Sequence, residues 1–244
     1  MSTVAPDHAS ALDEDFGSPL RWLGRQLFTN ELIFDFGSWI YAWMTGNPIW
    51  HANSTRLLED VPADRSEFVV LDLGAGPGNS ALAMGAHRPA ARFIALDLAQ
   101  QMLELAQHNR WQAGWSGLRL APVRANALRL PLPDAAVDVV TGHSFLYLLP
   151  NYPAVLGEAL RVLRPGGYVA FLEPHAGAVA WDWLWSQRST GLHISLTLWR
   201  FYSWLHRRFS AARLASALTQ AGFQKVTTEV TLGGFGIFGR GQKE

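Results

Sequence analysis

The chain is expected to fold as an α/β protein around a doubly wound sheet of seven strands, with helical segments outside the sheet acting as a lid. Three observations predict this. Short apolar runs alternate with helical text from residue 68 onward, and the first run stops at a glycine cluster. The alternation is interrupted once, between residues 175 and 209, by an aromatic helical stretch. Strands that alternate with helices form parallel sheets covered on both faces.

Phe68–Leu73 reads as the first strand, an apolar run of the kind buried on both faces. Asn79–His87 reads as a helix of small residues with Ala81, Leu82 and Met84 for packing. Arg92–Asp97 is a second strand, and Ala99–Asn109 a second helix with Met102, Leu105 and Ala106 at helical spacing. Leu118–Val123 and Val137–Thr141 are the third and fourth strands. Tyr152–Leu163 is a helix stopped by Arg164-Pro165-Gly166-Gly167, and Tyr168–Leu172 the fifth strand. After the aromatic stretch, Ser210 is a candidate N-cap for a helix through Ala221 that Gly222 stops. Lys225–Thr231 and Phe235–Gly239 close the pattern as strands. The domain boundaries follow: an N-terminal helical lid over residues 1–60, then a ligand-binding domain over 61–244 that carries the helical insert 175–209.

Composition narrows the function. With 244 residues, 49% hydrophobic and 16% charged, the chain has enough apolar material for a full core. Twenty Lys and Arg balance twenty Asp and Glu, so the basic footprint that supplies nucleic-acid affinity is missing. The absence of cysteine excludes disulfide scaffolds, thiol nucleophiles and Cys-type zinc sites. The eight histidines are scattered, and no metal is expected. Residues 1–15 carry Asp7, Asp13, Glu14 and Asp15 without a Lys or Arg, unlike a signal peptide, and Val139–Gly157 is broken by Pro150 and Pro153. A cytoplasmic protein without a transmembrane segment is expected, with transient contact at a membrane surface as an option. Its oligomeric state is left open.

The chemistry lies in Val69-Val70-Leu71-Asp72-Leu73-Gly74-Ala75-Gly76-Pro77-Gly78. A glycine-rich turn between strand and helix lets backbone approach a ligand closely. The spacing is G-x-G-x-G, not the G-x-G-x-x-G of dinucleotide binders, which disfavours a nicotinamide dehydrogenase. Asp72, two before the first glycine, suits a ligand bearing an amine or positive charge. Asp97 ends the second strand, about 20 residues after the glycines, where a carboxylate can accept from ribose hydroxyls.

These residues, with Ala95-Leu96-Asp97-Leu98-Ala99-Gln100-Gln101-Met102-Leu103 and the Glu158–Gly167 block, resemble the class I S-adenosylmethionine-dependent methyltransferases. Residues 66–174 carry the likeness. The ending Thr231–Lys243, the N-terminal aromatic segment and the insert are similar to the ubiquinone/menaquinone-biosynthesis type. The resemblance implies a Rossmann-like fold, S-adenosyl-L-methionine as cofactor, and a cofactor site made from Asp72, Gly74, Ala75, Gly76, Gly78, Asp97, Leu98, Met102, Asn126 and Ala127. Leu98 and Met102 would flank the adenine. Asn126 stands where the family usually has Asp, and its amide oxygen can accept from the adenine amino group.

The implied activity is methyl transfer to carbon or oxygen of a lipophilic or aromatic small molecule. A polar natural product or amine as acceptor, and a catalytically idle cofactor-binding protein, are the alternatives. A general base would help a phenolic acceptor. His143, just past the fourth strand, and His175, after the fifth, are the candidates, with Tyr147 and His51 behind them. Glu173 is either an orienting or a catalytic group. Nine of eleven tryptophans fall in two segments, Trp22, Trp39, Trp43 and Trp50, then Trp181, Trp183, Trp185, Trp199 and Trp204. They suggest a pocket for an apolar acceptor, with Trp181, Trp185 and Tyr202 at spacings that can share one side.

Overall fold

The structure, a computed structural model, describes residues 46–117 and 119–244. Most of the expected N-terminal lid, with Trp22, Trp39 and Trp43, and Leu118 of the third strand lie outside the described residues.

The first described helix is α1 (Pro48–Thr55), and its sequence explains its start. Proline occupies the first turn, and Asn47 Oδ1 accepts from the N–H groups of Ile49 and Trp50, each at 3.1 Å. A short 3-10 turn, Arg56–Leu58, leads to β1 (Phe68–Leu73), α2 (Asn79–His87), β2 (Ala91–Asp97), α3 (Gln100–Gln112), β3 (Leu120–Arg124), β4 (Val137–His143), α4 (Tyr152–Val162) and β5 (Leu163–Pro174). Then follow α5 (Trp181–Ser186), α6 (Thr190–Leu205), α7 (Ala211–Gln220), β6 (Gln224–Thr231) and β7 (Gly236–Gln242).

The seven strands form one sheet in the order β3-β2-β1-β4-β5-β7-β6. β1 to β5 pair in parallel, whereas β7 runs antiparallel to both β5 and β6. The alternation predicted a parallel sheet. The exception arises because only the turn Leu232–Gly234 joins β6 to β7, and parallel neighbours need a longer crossover. β5 also starts earlier than the sequence suggests. Leu163 pairs with Val137 across a register shift, so the Arg164–Gly167 turn belongs to the strand's irregular beginning.

Both faces are covered. On one, Trp50, Met84, Leu192, Leu196 and Trp199 pack on Val70, Phe93, Leu172 and Phe238. On the other, Leu156, Ala159, Leu214 and Leu218 pack on Leu71, Val140, Phe171 and Ile237. Ser210 caps α7, its Oγ accepting from Arg213 N at 3.2 Å, as the sequence indicates. The insert leaves and rejoins the sheet at one point. His175 and Phe209 form a parallel bridge, with Phe209 N donating to Pro174 O at 2.8 Å and Ala176 N to Phe209 O at 2.9 Å.

At the start of β4, buried Asp138 receives Arg65 at 2.6 Å, Arg164 at 2.7 Å and the N–H of Val69 at 2.8 Å. One carboxylate thus joins β1, β4 and β5 at the end of the sheet away from the glycine turn. Removing it strands the Val69 donor in the interior. Asp138→Ala should therefore lower stability by about 2–4 kcal/mol in urea unfolding, and Asp138→Asn by less.

Candidate functional site

The strand order reverses between β1 and β4, and in such sheets ligands bind outside the carboxyl ends at that point. The ends of β1, β2 and β4 bring Asp72, the glycine turn, Asp97 and His143 to this crevice. Asp72, Gly74, Ala75, Pro77, Asn79, Ser80 and His143 line one small cavity.

The glycine turn depends on residues without a Cβ. Gly74 has φ +62° and Gly78, which caps α2, has φ +77°. A Cβ at Gly74 would also run into the Phe145 ring. Asp97 fastens the turn. Its Oδ2 accepts from Gly76 N and its Oδ1 from Ala99 N, each at 2.9 Å. The carboxylate therefore orients the loop at the same crevice where the ribose role was expected, and its remaining lone pairs can serve that role.

Asp72 is almost fully buried. Thr141, its register partner on β4, donates to Oδ1 at 2.7 Å, while Oδ2 has no partner among the described residues. Burial pushes its carboxyl up to about 6, the Thr141 hydrogen bond opposes this, and the charge of Asp97 adds to it. An unpartnered buried carboxylate oxygen facing a cavity matches a ligand ammonium group. The α-ammonium of S-adenosylmethionine fits this acceptor.

His143 is 7% exposed, and burial lowers its imidazole to about 4, so the ring is neutral at pH 7. Nδ1 lies 3.4 Å from Ser80 Oγ, and Nε2 has no partner among the described residues. Trp50 lies 4.9 Å away and Trp199 6.4 Å, ring centre to ring centre. Trp50 Nε1 donates to Ser195 Oγ at 2.8 Å, which ties α1 to α6 beside this imidazole. A ring of such weak basicity has little drive to take a proton from a phenol. That counts against the general-base expectation for His143.

The second candidate is held elsewhere. His175 Nδ1 is 3.1 Å from Gly234 O, while the His175 carbonyl accepts from Arg200 at 2.6 Å. Glu173, between them in function, is an orienting group. Fully buried, it accepts from the N–H groups of Phe145 (3.1 Å), Leu146 (2.8 Å) and Tyr147 (3.1 Å). Burial still pushes its carboxyl up to about 7, against these three donors and the charge of Arg207.

The adenine residues are placed unevenly. Met102 and Ala127 are buried, while Leu98 is 63% exposed at the crevice edge. Asn126 is exposed, and its Oδ1 already accepts from Leu128 N at 2.9 Å, shaping its loop. Trp181, Trp185 and Tyr202 do not meet. Trp181 packs edge-on against Phe235, Trp185 against His193, and Tyr202 against Tyr147 and His206. Trp181 and Trp185 share α5, whereas Tyr202 lies on the separate helix α6, so helical spacing does not bring it to them. Ser80 and Thr141 were missed. The Asp72–Thr141 pairing was readable from strand register, whereas Ser80 carries no sequence signal.

An open α/β sheet with a glycine turn, a clamped second-strand carboxylate and an amine-matched cavity defines an adenosyl-cofactor site of the Rossmann-like class. Comparison with known proteins agrees. A family model described as "Methyltransferase domain" matches residues 71–171. The chain is 30% identical over 169 residues to a demethylmenaquinone methyltransferase of Listeria monocytogenes, covering 64% of this chain and 70% of that one. It is 37% identical over 130 residues to a malonyl-[acyl-carrier protein] O-methyltransferase of Xylella fastidiosa, covering 52% of this chain and 42% of that one. Phosphoethanolamine N-methyltransferase 2 of Haemonchus contortus, solved in complex with S-adenosyl-L-methionine, shares the fold. Its TM-score is 0.67 at 13% identity, over 90% of this chain and 59% of that one. The chain spans about half the length of several curated relatives it matches. It belongs to the class I S-adenosylmethionine-dependent methyltransferases.

Two measurements check the site. Asp97→Ala should weaken S-adenosylmethionine binding by about 1.5–3 kcal/mol in calorimetric titration, through lost charge-assisted bonds and a loosened loop. His143 is protonated more readily in the unfolded chain than in the folded one. It therefore costs stability as pH falls from the ordinary histidine value of 6.5 towards 4, and none above. The stability difference between wild type and His143→Gln should shrink across that window in urea unfolding, and stay constant at higher pH.

Proposed function

We propose that this chain transfers a methyl group from S-adenosylmethionine to an apolar or aromatic small molecule, at carbon or oxygen. The observation that carries this reading is the juxtaposition at His143. The imidazole lines the amine-matched Asp72 cavity, and it also packs beside Trp50 and Trp199 from helices outside the sheet. Indole rings next to a side chain that lines the cofactor cavity favour an aromatic acceptor.

In this reading Asp72 Oδ2 receives the cofactor's ammonium group, the Gly74–Gly78 backbone lies along its amino-acid portion, and Asp97 accepts from the ribose. Leu98 and Met102 offer the adenine apolar contact, with Asn126 and Ala127 at the edge of that region. The bound cofactor supplies an electrophilic sulfonium methyl, so the acceptor gains the methyl and releases one proton while the sulfonium becomes a thioether. The protein's contribution is alignment and exclusion of water. The described helical segments over residues 46–60 and 175–209 serve as the lid that selects the acceptor.

The test uses S-adenosylmethionine labelled in the methyl group, with a short-chain 1,4-naphthohydroquinone as apolar acceptor and ethanolamine as polar one. Label should enter the naphthohydroquinone, with S-adenosylhomocysteine formed in equal amount. Label in ethanolamine alone would move the acceptor class to amines. Cofactor binding without transfer to any acceptor would leave a cofactor-binding protein.

A further inference from the structure

Two buried hydroxyls beside the cavity have no role in the reading above. Ser54 on α1 donates to Ser80 Oγ at 3.2 Å, and Ser80, in the first turn of α2, is 3.4 Å from His143 Nδ1. All three residues are more than nine-tenths buried. A serine oxygen that receives a hydrogen from Ser54 keeps its own to give, and Nδ1 is within its reach. A neutral imidazole that accepts at Nδ1 carries its one hydrogen on Nε2. That atom has no partner among the described residues, in a ring that lines the cavity.

We propose that Ser54 and Ser80 are positioning residues that hold His143 as its Nε2–H tautomer, so that Nε2 donates a hydrogen bond to an anionic oxygen on the methyl acceptor. This rests on the methyl-transfer reading and narrows it to acceptors that react as a phenolate or enolate. Burial agrees with the geometry, since it keeps the ring neutral and so confines it to one hydrogen. In the methyl-transfer reading the acceptor lies towards the indole rings of Trp50 and Trp199, which pack beside the imidazole. The cofactor's own carboxylate offers the same oxygen chemistry, and affinity for the cofactor separates the two sources. A donor aimed at developing negative charge in a dry site contributes more to the transition state than to binding.

Nitrogen-15 NMR of the full chain labelled at histidine reads the tautomer directly, with His143→Gln identifying the resonance. The expected result is hydrogen on Nε2 in the wild type, a shift towards the Nδ1–H form in Ser80→Ala, and recovery in Ser80→Thr. With the naphthohydroquinone as probe, His143→Leu should lower kcat about 100-fold, with S-adenosylmethionine affinity roughly unchanged by calorimetry. His143→Gln, which keeps a donor, should recover much of that loss. Hydrogen on Nδ1 in the wild type overturns the proposal whatever the protein methylates. An about tenfold loss of cofactor affinity in His143→Leu overturns it by assigning Nε2 to the cofactor's carboxylate. No turnover with the expected tautomer overturns the methyl-transfer reading instead.

Discussion

The crevice rests on one carboxylate that touches none of its expected ligands. Glu173, near the end of β5, takes three consecutive backbone N–H groups from Phe145, Leu146 and Tyr147. Those donors belong to the segment directly after β4, so they fix where that strand stops and how the chain turns away. Ser144 sits there with φ +56°, a left-handed backbone for a residue with a side chain, at a cost of about 1–3 kcal/mol. Such a conformation persists when neighbours over-determine it, and the three bonds to Glu173 do so. The fixed segment sets the Phe145 ring against Gly74 and the imidazole of His143 beside Ser80. The glycine turn and the β4 end are therefore positioned through a single buried carboxyl group.

Three other carboxylates divide the remaining work by environment. Asp138, at the far end of the sheet, is satisfied by two arginines and a backbone N–H, and serves the fold. Asp97 is partly open and spends its oxygens on Gly76 and Ala99, which makes it a clamp on the glycine turn. Asp72 is sealed in with one oxygen unspent, so it is costly until something cationic arrives. The same functional group becomes brace, clamp or receptor according to how many donors the fold supplies.

What the sequence made legible was local. The bounds of β1 and α2, the cap at Ser210 and the positions of the glycines and Asp97 follow from rules acting over a few residues. The helical character of residues 181–205 was readable too, because that aromatic text differs from the βα alternation around it. What could not be read depended on partners far along the chain. Glu173 is an acid at a strand end until the β4 segment is seen on it, and Ser80 is a helix residue until Ser54 and His143 flank it. Asn126 suggested a ligand contact because of its position in a motif, yet its oxygen is already engaged by Leu128 N. The grouping of Trp181, Trp185 and Tyr202 failed because periodicity reports a helix's face and says nothing of how two helices are turned.

The bridge between His175 and Phe209 has a consequence for how such a protein changes over time. Thirty-three residues separate these two positions, and the excursion begins and ends in one small knot of hydrogen bonds. The excursion nevertheless packs on the sheet through Leu192, Leu196 and Trp199, and on the loops beside it through Trp181 and Tyr202. Its inward side is therefore bound to the sheet, whereas its outward side, with Trp185, Leu198 and Phe201 exposed, can be resurfaced without disturbing β5 or its neighbour β7. Change can accumulate on that outer face while the glycine turn stays where Asp97 fastens it.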